Sequence, residues 1–115
     1  MQLPNASNAV VDIEKLRDYC LSSQHPEGRH KARVFLSALG VTSVDAEEFR
    51  KLLLSEAIRS NVATMTNADD YGCRYSADLI ITWGSRTAQV RSAWIMKSGE
   101  DFPRLISCYV LRGVV

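Results

Sequence analysis

The stretch Cys73-Arg74-Tyr75-Ser76-Ala77-Asp78-Leu79-Ile80-Ile81-Thr82-Trp83 decides the fold. Cys73, Tyr75, Ala77, Leu79, Ile81 and Trp83 share one phase of a two-residue period, and Arg74, Ser76, Asp78 and Thr82 share the other. That is the pattern of a strand with one face buried. Gly84-Ser85 follows as a tight hairpin turn. Arg86 to Lys97 then repeats the alternation, with Ala88, Val90, Trp94 and Met96 set against Gln89, Arg91, Ile95 and Lys97. Ser98-Gly99-Glu100-Asp101 reads as a second turn, Pro103 to Leu111 as a third strand, and Val62 to Thr66 as a fourth at one edge. Trp83 and Trp94 fall on the apolar phase and belong to the core.

Upstream of the strands the period becomes helical. Ile13, Leu16, Tyr19 and Cys20 form one apolar face behind an N-cap at Asp12, running to about Ser22. Ser23 to Gly28 breaks the pattern, with His25 as a turn residue. Gly28-Arg29-His30-Lys31-Ala32-Arg33-Val34-Phe35-Leu36 opens a second helix, whose Ala32, Phe35, Leu36 and Leu39 share a face. Pro26 suits its first turn and Gly40 its C-cap. A third helix opens at Ser43 or Asp45 and runs through Phe49, Leu52, Leu53 and Ala57 to about Arg59, with Glu47 and Glu48 placed to suit its dipole. Met1 to Val11 reads as an extended arm that docks, and Asp69-Asp70-Tyr71-Gly72 as a turn. The expected architecture is α+β in a single domain, 1–115: three short N-terminal helices packed on a three- to four-stranded antiparallel β-meander.

Composition bounds the function. The chain has 115 residues, 46% of them hydrophobic, which supports one packed core. A net charge of +1 excludes a global positive field, so any nucleic-acid surface has to be local. Cys20, Cys73 and Cys108 are odd in number and widely spaced, which points to free thiols filling the core and away from a zinc site with paired ligands. No apolar run approaches the roughly 20 residues that span a bilayer. A cytoplasmic protein without cofactor, metal or membrane partner is expected.

The second helix carries the chemistry. Arg29, His30, Lys31 and Arg33 lie near an electropositive helix start, where N–H donors, guanidinium forks and an imidazole favour an anion: a phosphate or a partner's carboxylate. The alternative for the cations is a solvated face with ion pairs to Asp12, Glu14 or Asp18, and for His30 a hydrogen bond to a neighbouring loop.

Leu3-Pro4-Asn5-Ala6, His25-Pro26-Glu27-Gly28-Arg29-His30-Lys31-Ala32-Arg33, Arg86-Thr87-Ala88-Gln89-Val90-Arg91 and Pro103-Arg104-Leu105-Ile106-Ser107-Cys108-Tyr109 stand in this order. In these stretches the chain resembles a family of small bacterial proteins of uncharacterised activity. More distantly, helices followed by a hairpin-rich sheet, a basic helix and an Arg-Leu-Ile-Ser-x-Tyr last strand resemble the barnase, EndoU, colicin and RelE-type ribonuclease toxins. That resemblance implies metal-independent RNA cleavage, in which the 2′-hydroxyl attacks the adjacent phosphorus. His30 would then be the acid or base, Lys31, Arg91 and Arg104 the phosphate clamp, and Ser107 and Tyr109 its neighbours on the last strand, with Arg29 and Arg33 binding further phosphate.

Two functions therefore compete: a ribonuclease-like toxin or effector acting on RNA, and a non-catalytic module of a two-gene, toxin–antitoxin-like pair that binds a small acidic protein. The apolar Val110-Leu111 and Val114-Val115 leave monomer and homodimer both open.

Overall fold

In the computed structural model, which describes residues 1–114, an N-terminal arm leads through three helical segments into a four-stranded antiparallel sheet. Helix α1 covers residues 13–20, α-helical over Ile13–Lys15 and π-helical over Leu16–Cys20. Helix α2 is Arg29–Leu39, and α3 is Ala46–Arg59 behind a 3-10 turn at Ser43–Asp45. Strands β1 (Thr64–Asp69), β2 (Gly72–Trp83), β3 (Arg86–Lys97) and β4 (Arg104–Val114) are neighbours in chain order. The expected α+β meander with helices first is the fold observed.

β2 and β3 pair without interruption from Gly72 opposite Lys97 to Trp83 opposite Arg86, so the alternation read from the sequence is the pleat itself. The fourth strand lies a little later than Val62–Thr66. Its hairpin is fixed by Asp69, whose carboxylate accepts the Tyr71 N–H at 2.9 Å, and by Gly72, which runs so close to the Met96 carbonyl that a Cβ would not fit. β1 is exposed along its whole length, and its register slips at Thr66, between Met65 and Asn67. β4 slips at Ile106 and again at Leu111.

All helices lie on one face of the sheet. Leu16 and Cys20 of α1, Phe35 and Leu39 of α2, and Phe49 and Leu53 of α3 meet Leu79, Ile81, Val90, Trp94 and Cys108. Phe49 stands edge-on to both Phe35 and Trp83, with ring centroids 5.5 and 5.7 Å away. Trp94 is wholly buried; its indole N–H donates to Ser92 Oγ at 2.9 Å, and the Ser92 hydroxyl donates to the Ala77 carbonyl at 2.7 Å. The other face, with Arg74, Asp78, Thr82, Gln89 and Arg91, has no helix on it among the described residues, as one-sided antiparallel sheets allow.

The helix ends refine the expectations. α1 stops at Cys20, because the Leu21 N–H reaches back to the Leu16 carbonyl at 2.8 Å in a wide last turn. Asp12 occupies the N-cap position, but its side chain makes no capping bond. Pro26 precedes α2 and does not enter its first turn. The helix begins after Gly28, which is pressed against the Tyr19 carbonyl where no Cβ fits. Gly40 closes α2 at φ 77°, and a Thr42–Asp45 capping box opens the 3-10 turn before α3. The arm docks as expected: Leu3 and Val11 are buried, the Met1 amino group donates to the Asn61 and Ala63 carbonyls, and Val10 pairs with the start of β4.

Cys20 and Cys108 are buried, Cys73 is half-buried, and all three thiols are free. Among the described residues no helix is long and apolar enough to cross a membrane. Of the terminal apolar residues, Val110 is buried and Leu111 half-exposed; Val115 lies outside the described residues.

Candidate functional site

β4 is flanked by two grooves. The first, about 380 Å³, is lined by His30, Lys31 and Val34 of α2 and by Tyr109 and Val110 of β4. The second, about 550 Å³, is lined by Glu14, Lys15, Asp18 and Tyr19 of α1, by His25, and by Ile106 and Ser107 of β4. Lys31 lines the first and Tyr19 the second, and a 2.7 Å hydrogen bond from Lys31 Nζ to Tyr19 Oη forms the partition between them. The Tyr19 hydroxyl, more than any other neighbour, holds the Lys31 ammonium above its ordinary pKa, against the pull of partial burial. Lys31 is thus a fixed, charged donor beside both grooves.

His25 is fixed just as firmly. Its Nδ1 accepts the backbone N–H groups of Glu27 and Gly28 at 3.0 and 2.9 Å, and its ring meets the Tyr19 ring edge-on at 4.8 Å. Behind this wall Cys20 Sγ lies 3.8 Å from Ser107 Oγ. The Cys108 thiol and backbone, the Ser107 hydroxyl and the Lys31 charge hold the Cys20 thiol below its ordinary pKa, while the Cys20 sulfur and complete burial push Cys108 up.

Of the residues singled out in the sequence, His30, Lys31 and Tyr109 come together in the first groove and Ser107 sits in the second. Arg91 lies on the open face of the sheet, where it forms a two-point ion pair with Asp78 at 2.8 and 2.9 Å and stands opposite Tyr109 in register. Asp78 first, and then the Tyr109 hydroxyl, raise the guanidinium above its ordinary pKa. Arg104, at the beginning of β4, pairs with Glu100 through two 3.1 Å bonds and covers the Phe102 ring at 5.0 Å. Arg29 and Arg33 line a third groove of about 330 Å³ on the other shoulder of α2, with Ser23, Leu36, Thr42 and Ser43. The alternative weighed for α2, ion pairs to Asp12, Glu14 or Asp18, does not form among the described residues. Asp18 is held by its neighbour Arg17 at 2.9 Å, and Lys31 is held by Tyr19.

Sequence reasoning missed Tyr19, read as core, and His25, read as a turn residue. The available signal for Tyr19 was its hydroxyl, which needs a partner once the ring packs against the core. For His25 it was a position just ahead of a helix start, where backbone N–H groups lack partners.

The profile of the domain of unknown function DUF6883 matches residues 2–112. The chain belongs to the DUF6883 family. No curated protein matches the sequence. Among solved structures, the DUF6883 fold superposes on a chain of the contact-dependent growth inhibition toxin–immunity protein complex from Klebsiella pneumoniae 342. The TM-score is 0.61 at 19% identity, over 91% of this chain and 95% of the other. At that identity the shared property is the fold, and DUF6883 has the architecture of a component of that complex.

Proposed function

We propose that this DUF6883 domain is a toxin-like ribonuclease that cleaves RNA in the cytoplasm without a metal ion, working in the groove between α2 and β4. The observation that carries this reading is the convergence of His30, Lys31 and Tyr109 on that one groove from two elements. RNA supplies its own nucleophile: the 2′-oxygen bonds to phosphorus, the P–O5′ bond breaks, and the products are a 2′,3′-cyclic phosphate and a 5′-hydroxyl. His30 takes the 2′-hydroxyl proton, Lys31 faces the charge that grows on the phosphoryl oxygens, and the leaving 5′-oxygen takes its proton from solvent, while Tyr109, whose hydroxyl reaches Arg91, walls the groove from β4. Arg91 and Arg104, already engaged by Asp78 and Glu100, contribute less to phosphate binding than Lys31 does.

The test is incubation of the purified chain with total RNA in EDTA, followed by analysis of fragment ends. Cyclic-phosphate ends are expected, with losses of about 100-fold or more in His30→Ala and Lys31→Met. No cleavage under any condition, or full activity in both variants, overturns the reading.

A second reading, a module that binds a small acidic protein, is favoured by a different observation. Arg29 and Arg33 make no ion pair among the described residues, so this shoulder of α2 presents uncompensated positive charge. The related fold comes from a toxin–immunity protein complex. Co-expression with the product of the adjacent gene tests it: a stable complex weakened by salt and by Arg29→Ala/Arg33→Ala supports it, and no complex removes it.

A further inference from the structure

We propose that His25 is a fixed hydrogen-bond donor to the substrate, whose Nε2–H holds a non-bridging phosphate oxygen of an RNA strand lying across the Lys31–Tyr19 partition; this rests on the ribonuclease reading.

A ring nitrogen that accepts hydrogen bonds carries no hydrogen of its own. With two backbone N–H groups directed at Nδ1, the imidazole proton sits on Nε2. Nε2 has no partner among the described residues, and the ring lines the groove between α1 and β4. The ring plane is held from the side by Tyr19, the same residue that fixes Lys31.

The surroundings suit a phosphate spanning the partition. From α1 the groove receives Glu14, Lys15 and Asp18, with Asp18 neutralised by Arg17; β4 brings only the uncharged Ile106 and Ser107. Glu27 stands two residues after His25 and donates its N–H to the ring, and Lys31 is held by Tyr19 on the α2 side. The proposed strand places one phosphoryl group at Lys31 and the next at the His25 N–H, on the other side of the Tyr19 ring. An N–H donor whose other ring nitrogen is already committed to the backbone adds hydrogen bonding at a phosphoryl oxygen without competing with His30 for the travelling proton.

Asparagine and glutamine separate the two ring nitrogens. His25→Asn keeps an acceptor where Nδ1 stands and removes the distal donor; His25→Gln keeps a distal N–H and removes the proximal acceptor. His25→Asn is expected to melt like the wild type and to cleave RNA at least about 10-fold more slowly. His25→Gln is expected to melt at a lower temperature yet, assayed well below that point, to cleave faster than His25→Asn. An imidazole proton–nitrogen NMR spectrum of the wild type is expected to show His25 as the Nε2–H tautomer at pH 7. Wild-type cleavage with His25→Asn equally active overturns this inference alone, as does a doubly protonated His25 in the spectrum. A wild type inert toward RNA overturns the ribonuclease reading and this inference together.

Discussion

Lys31 donates to the hydroxyl of Tyr19 at 2.7 Å, which locks α2 to α1 at the point where both look onto β4. Tyr19→Phe keeps the ring against His25 and removes only this bond. The expected cost in stability is about 1 kcal/mol, read by urea unfolding. The expected cost in RNA cleavage is larger, because the freed ammonium samples many rotamers. In a double-mutant cycle, Tyr19→Phe/Lys31→Met is expected to be no slower than Lys31→Met alone; additive losses would show that Tyr19 acts independently.

Gly28 and Gly84 answer differently to alanine. At Gly28 a Cβ runs into the Tyr19 backbone, and neither α1 nor the start of α2 can yield without breaking the His25 cap. At Gly84, φ is 62° but the space around it is open. Gly84→Ala should cost about 1–2 kcal/mol of backbone strain, and Gly28→Ala clearly more, about 3 kcal/mol or above. Equal values by chemical denaturation would contradict the close approach.

Ser92 is the buried polar side chain at the centre of the sheet, passing the Trp94 N–H on to the Ala77 carbonyl. Ser92→Ala leaves a buried indole N–H without a partner and is expected to cost about 1–3 kcal/mol. Hydrogen exchange should show faster opening of β3 at the same time.

Asp78 gives the acid limb of stability. Its carboxyl, held by Arg91, titrates below its ordinary value of 3.8 in the folded state. The ion pair therefore contributes fully above the unfolded value, and its contribution is lost as pH falls through the lower folded one. Asp78→Asn should flatten the decline in melting temperature between about pH 5 and pH 2; an unchanged slope would show that the pair contributes nothing to that limb.

How much could be read from the residues differs between the sheet and the site. The two long strands were legible because Tyr75 to Trp83 and Ala88 to Met96 alternate on a scaffold whose other face is wet, so period and burial coincide. β1 was harder: Thr64–Asp69 has both sides exposed, no face needs to be apolar, and only its hairpin fixes where it ends. In the site, His30 and Lys31 declared themselves by charge at a helix start. Tyr19 and His25 did not, because the first takes its place from a π turn and the second from a contact between a loop imidazole and helix N–H groups. Arg104 looked like a phosphate ligand in sequence, yet Glu100 lies one helical-type spacing before it and engages its fork.

The slip at Thr66 reaches beyond β1 itself. An outermost ribbon wet on both sides offers its row of amides and carbonyls to any neighbour, and a straight one would template stacking of copies edge to edge. The extra residue interrupts that row midway, while at the opposite margin Val10 occupies the first rungs of β4. Each border of the sheet thereby carries an interruption that works against edge-to-edge stacking of copies.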